Sequence, residues 1–169
     1  TDTLQRLHPE QALHFEHLVQ ISDPANPPAD RLSREQVWTG LMYRVHEPTV
    51  FLPGLDRCVL MERSADRITR ELHFGSSRIL DTVTFEPLEW MCFESAATAE
   101  HAGGRLTIRL EEPDDEQLFL RFIYETTLPE GVEEGETVQV SEFVKSAYRA
   151  SDLDTVRVIR TIVTHGRPQ

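Results

Sequence analysis

Between Asp56 and Leu128 the chain is cut into runs of seven to eleven residues by connections too short to contain a helix. The runs are 57–63, 67–74, 78–86, 90–98, 105–112 and 117–127. The connections are Ala65-Asp66, GSS at 75–77, EPLE at 86–89, EHAGG at 100–104 and EPDDE at 112–116. Each connection carries Gly, Pro, Ser or acidic turn formers, and the runs are rich in β-branched and aromatic residues. Consecutive strands joined this tightly have to be antiparallel neighbours, so the segment predicts a six-stranded meander.

What flanks the meander completes the plan. Ala12–Ser22 alternates, with Leu13, Phe15, His17, Val19 and Ile21 on one side, and predicts a seventh strand. DPANPPAD at 23–30 breaks the pattern, and Ser33 is then placed to cap a helix carrying Val37, Leu41 and Val45. Pro48 and Pro53 leave room for only a short second helix. After the meander, Val140, Phe143/Val144, Ala147/Tyr148, Thr155/Val156, Ile159 and Ile162/Val163 step along one apolar stripe. Glu142, Lys145, Arg149, Asp152 and Arg157 occupy much of the rest. A helix over 140–164 would be about 37 Å long at about 1.5 Å per residue. That matches seven strands spaced about 4.8 Å apart. The class is α+β, with Phe143 among the residues expected against the sheet.

With 169 residues, one domain over 12–165 is expected, preceded by an N-terminal extension over 1–11. A net charge of -12 argues against a nucleic-acid partner, since phosphate binding needs a basic field. The acidic clusters at 111–116 and 130–136 sit beside Pro or Gly and read as solvated turns without calcium-loop spacing. No apolar run is long enough to span a membrane and no secretory pattern opens the sequence. Two cysteines, Cys58 and Cys92, match neither a disulfide framework nor a zinc site, which suits a reducing, cytoplasmic setting. No phosphate-cradling glycine loop, nucleophile elbow or metal-binding His pattern is present, so no cofactor is expected. His14 and His17, three apart on a strand, face opposite ways. No feature of the pattern sets an oligomeric state.

The alternation puts charge on the side that should be dry. With Ser76-Ser77 as a turn, Leu72 opposes Asp81 and Arg70 lies diagonal to it. With Pro87-Leu88 as the next, Phe85 opposes Trp90, Val83 opposes Cys92 and Asp81 opposes Glu94. Arg70, Asp81 and Glu94 are therefore expected to converge on the inner face. They read either as a buried ion pair that fixes register or as a polar anchor inside an apolar cavity. His17, Tyr124 and Tyr148 are further inner-face candidates, readable as core residues or as groups presented to a ligand. Phe85, Trp90, Phe122 and Tyr148 are the expected cavity walls.

The local wording carries a resemblance. LSREQVWTGL (32–41), FLPGLDRC (51–58), TRELHFG (69–75), VTFEP (83–87), LFLRFIYETTLPE (118–130) and FVKSAYRASDLDTVRVIR (143–160) resemble the AtaL-like branch of the START-related (SRPBCC) superfamily. The likeness runs from Phe15 to about Ile162. It implies the helix-grip fold: a seven-stranded antiparallel sheet curled around a long C-terminal helix, two short helices between the first two strands, and a cavity. It implies little about activity, because that family is largely one of unknown function and fold does not dictate function. The leading expectation is a domain holding a small apolar or aromatic molecule on a polar anchor. The alternative is a cyclase/aromatase-like enzyme with Asp81 or Glu94 as base and Arg70 stabilising an enolate. A further alternative is a protein-interaction domain.

Overall fold

The strands run as the turn spacing predicts. The computed structural model describes residues 12–23, 25, 27, 31–96, 103–127 and 134–165, without the side chains of 12, 127 and 134–141. The expected extension over 1–11 lies outside the described residues, as do parts of the proline-rich and acidic segments. In chain order the elements are β1 (Ala12–Ser22), α1 (Arg34–His46), a single 3-10 turn (Pro48–Val50), β2 (Arg57–Arg63), β3 (Arg67–Phe74), β4 (Ser77–Glu86), β5 (Trp90–Ser95), β6 (Gly104–Asp114), β7 (Gln117–Thr127) and α2 (Glu134–His165). The sheet order is β1-β7-β6-β5-β4-β3-β2, a meander with β1 added antiparallel to its last strand. This is the helix-grip arrangement.

The inner face carries the core. Ile68 and Leu72 of β3, Val83 and Phe85 of β4, Met91 and Phe93 of β5 are buried there. Ile108 and Leu110 of β6, Leu118, Leu120 and Phe122 of β7, and Val19 and Ile21 of β1 complete it. Two helices cover this face, not one. α1 begins at a capping box in which Ser33 Oγ accepts from Gln36 N and Gln36 Oε1 accepts from Ser33 N. It lays Val37, Leu41 and Val45 on the sheet, and Trp38 meets Phe85 with ring centroids 6.2 Å apart. α2 buries Asp152, Thr155, Val158, Ile159 and Ile162. The expected stripe holds at Tyr148, Thr155, Ile159 and Ile162 but departs at two places: Phe143 is 75% exposed and Asp152 lies inside. Tyr148, Asp152, Thr155, Ile159 and Ile162 are spaced by three and four, and a charge in that series disguised it.

Turn lengths account for the register differences. β3 and β4 are joined by Gly75-Ser76, with Gly75 in the left-handed region at φ 57, so Leu72 opposes Ile79 and Arg70 directly opposes Asp81. β4 and β5 are joined by three residues, Pro87, Leu88 and Glu89. Glu89 N donates to Glu86 O, and Leu88 has φ 68, as the third residue of a type II turn requires. The left-handed Leu88 is held from α1, where Arg34 Nε donates to its carbonyl at 2.6 Å. The extra residue moves β5 by one. Phe85 opposes Met91, Val83 opposes Phe93 and Asp81 opposes Ser95. Met91 and Phe93 therefore point inward, and Trp90, Cys92 and Glu94 occupy the outer face, contrary to the sequence expectation.

Gly40 brings the two helices together: a Cβ built on it would stand 2.5 Å from Ile159 Cγ2. Gly40→Ala should destabilise the domain by about 1–3 kcal/mol despite the better helix propensity of Ala. In an Ile159→Ala background the same change should cost little or stabilise. Equal costs in the two backgrounds, measured by denaturant unfolding, would contradict this packing. Arg70→Met should cost about 3–5 kcal/mol, since Asp81 is left as a buried unpaired charge. A further Asp81→Leu change should recover part of that loss, and a double variant no more stable than the single would contradict the assignment.

Candidate functional site

Of the charges expected to converge, two meet and one does not. Arg70 Nε and Nη2 donate to Asp81 Oδ1 and Oδ2 at 2.9 and 2.5 Å, and both residues are buried. Arg70 Nη1 donates to the carbonyl of Val45 at 2.9 Å, near the C-terminal end of α1. Every nitrogen of this guanidinium is engaged within the fold. Glu94 lies on the outer face and pairs with Arg105 at 3.3 Å. Trp90, Cys92 and Glu94 line an open hollow of about 340 Å³ there, with Thr84, Arg105, Thr107 and Arg109. Phe85 and Phe122 are buried on the inner face, so the four expected wall residues do not share one hollow. A second, smaller hollow lies at the β2–β3 hairpin, lined by Glu62, Arg63, Ser64, Arg67 and Thr69.

The structure gathers a different polar group on the inner face. Asp152, 1% exposed on α2, accepts from Tyr124 O–H of β7 through Oδ1 and bonds His17 Nδ1 of β1 at 3.0 Å through Oδ2. Pairing of β1 with β7 sets Phe15 opposite Tyr124 and His17 opposite Phe122, which brings the two donors to neighbouring strands. Aromatic faces surround them. Tyr124 stacks on Tyr148 with centroids 3.8 Å apart and planes within 4°. Phe15 lies 6.3–6.4 Å from His17, Tyr124 and Tyr148, and the Arg149 guanidinium sits 4.9 Å above Phe15. His17, Tyr124 and Tyr148 were legible from strand and helix spacing. Asp152 was not, and neither was Arg44, which follows Val37 and Leu41 by seven and three residues on the buried side of α1.

Arg44 is 7% exposed, its guanidinium lies 4.9 Å from the Phe93 ring centroid, and its Nε has no hydrogen-bond partner among the described residues. Burial lowers its pKa, opposed by the charges of Asp152 and Asp81 and reinforced by Arg70. Burial raises the pKa of Asp152, while the hydrogen bonds from Tyr124 and His17 act to lower it. Burial, then the charge and hydrogen bonding of Asp152, push the Tyr124 phenol far above its ordinary value, so Tyr124 acts as a donor. An ionised Asp152 can only accept, which makes His17 Nδ1 the donor and leaves Nε2 outside the contact. Such a carboxylate–imidazole arrangement suits orienting a ligand or moving a proton. Among the described residues no group of three His, Cys, Asp or Glu is placed to hold a metal ion, and no helix is long and apolar enough to cross a membrane.

A raised carboxyl pKa contributes stability at low pH that is lost as pH rises through the raised value. Tyr124→Phe removes one donor to the carboxylate and should move the Asp152 titration further upward. Carbon NMR of the Asp152 carboxyl in both proteins measures this, and an unchanged or lowered titration would contradict the network.

No curated protein matches the chain in sequence. Among solved structures, the di-domain ARO/CYC StfQ from the steffimycin biosynthetic pathway superposes with TM-score 0.70 at 12% identity, over 91% of this chain and 51% of that one. This chain therefore spans about half of that protein. The Zhui aromatase/cyclase from Streptomyces sp. R1128 matches with TM-score 0.66 at 16% identity, over 94% of this chain and 99% of that one. Norcoclaurine synthase from Thalictrum flavum matches with TM-score 0.61 at 8% identity, over 91% and 88%. At such identities the likeness is one of fold. The sequence likeness is more specific: the model of the family described as acetylaranotin biosynthesis cluster protein L matches residues 19–166. The chain belongs to that family, AtaL, and has the helix-grip fold of its structural neighbours.

Proposed function

We propose that this chain is a small-molecule-binding domain that holds an apolar or aromatic molecule on the inner side of the sheet, oriented by the polar group around Asp152. The observation that carries the reading is a buried carboxylate served by donors from two strands and flanked by stacked aromatic rings. Burying such groups is unfavourable compared with apolar packing of the same volume. Recognition of a ligand is a reason to retain them, since binding sites are mostly apolar with a few placed polar groups. His17, Phe15 and Tyr148 are only partly buried, so a molecule approaching beside α2 would meet aromatic faces first. Neighbours named for aromatase/cyclase activity support a ligand of that kind.

A second reading is favoured by the His17–Asp152 contact itself. In an enzyme of the cyclase/aromatase kind, Asp152 would hold Nδ1–H and leave His17 Nε2 as the base. Asp81 is unsuited to that role because Arg70 occupies both its oxygens, and Glu94 faces outward.

Native mass spectrometry of protein purified from its own host tests the binding reading. A mass above that of the bare chain, with the excess lost on denaturation, is the expected result. His17→Ala should lower the retained fraction and Trp90→Ala, on the outer face, should leave it unchanged. A native mass equal to the bare chain would overturn the reading. Return of the recovered molecule with altered mass after incubation with fresh protein, and loss of that conversion in His17→Gln, would establish the second reading instead.

A further inference from the structure

The interior holds two guanidinium groups that differ in how they are satisfied. Arg70 and Arg44 both lie against the Phe93 ring, 5.3 and 4.9 Å from its centroid. Arg70 places Nε and Nη2 on Asp81 and Nη1 on the Val45 carbonyl. Asp81 accepts from Arg70 on both oxygens, Asp152 engages Tyr124 and His17, and neither carboxylate accepts from Arg44 Nε. Arg44 is only 7% exposed, and nothing among the described residues accepts a hydrogen bond from its Nε. Asp152 and Asp81 act on it through their charge, and Arg70 opposes them. A buried donor on a charged group is costly to leave unpaired, and a guanidinium edge is shaped for an oxyanion.

We infer that the molecule bound on the inner face carries an acidic oxygen, a carboxylate or an acidic enol or phenol, and that Arg44 is the residue that receives it. The inference rests on the binding reading above. A neutral apolar ligand would leave Arg44 Nε unpaired, whereas an oxyanion against Phe93 and Tyr124 would satisfy it. Arg70 cannot substitute, because all its nitrogens are committed to the fold. The apolar or aromatic body of the ligand would then rest among the rings and its acid end would lie toward α1.

The test compares 2-naphthoate with its neutral isostere 2-naphthamide by calorimetric titration of the full chain. The wild type should prefer the anion by roughly tenfold or more, the factor set by one hydrogen bond to a charged group. Arg44→Met should abolish the preference while keeping affinity for the amide, and Arg44→Lys should restore part of it. The Arg44 Nε–H signal in nitrogen NMR should shift with naphthoate and not with naphthamide, a measurement that needs no variant to fold. Equal affinity of the wild type for both probes would overturn the acidic-ligand assignment and leave the binding reading standing. A preference that survives in Arg44→Met would overturn the role of Arg44. Failure of both probes to bind the wild type would overturn both.

Discussion

The ion pair between Arg70 and Asp81 is the interaction on which the rest of this structure depends. It joins β3 to β4 at directly opposed positions, and through Val45 it ties both strands to the end of α1. A cation suits that end of a helix, where carbonyls lack intrahelical donors and the backbone dipole is negative. One side chain thus settles a strand register and the position of the helix that covers it. The adjoining residue of α1, Arg44, is held over Phe93 as a consequence.

α1 has the larger part in shaping the interior than its length suggests. It roofs the β4–β5 side of the sheet through Trp38, Arg44 and Val45, while α2 lies over β1 and β7. The helices touch where Gly40 admits the Ile159 side chain. Asp152 and the unsatisfied edge of Arg44 come from these two helices. Binding chemistry and helix packing are therefore parts of one arrangement, and a molecule seated there would contact both helices and the sheet.

Most of the fold was legible because it is written in periods and interruptions. The seven strands, the Ser33 cap and the long last helix all follow from alternation, turn residues and stripe spacing. The ends of β-hairpins were harder, since GSS and EPLE each allow turns of two or three residues with different registers. Placing the β3–β4 turn one residue late kept every side chain on its proper face and hid only that Arg70 meets Asp81 head on. The next turn was misjudged by one residue, and every side chain of β5 changed sides. The site suffered more than the fold because its central residues break the rule used to find cores. Asp152 and Arg44 are charged and stand within buried stripes, where periodicity alone assigns them to solvent.

The type II turn at Leu88 has a consequence for how this chain should be matched to its relatives. A change in the number of residues between Glu86 and Trp90 does more than lengthen a loop. It acts like a shift of reading frame, exchanging the inward set Met91 and Phe93 for Trp90, Cys92 and Glu94 along a whole strand. Substitutions in β5 alter the interior one side chain at a time, but a single insertion or deletion in this turn would replace its chemistry at once. Comparisons of inner-face residues across the family have to be anchored on the length of this turn before any column of β5 can be read.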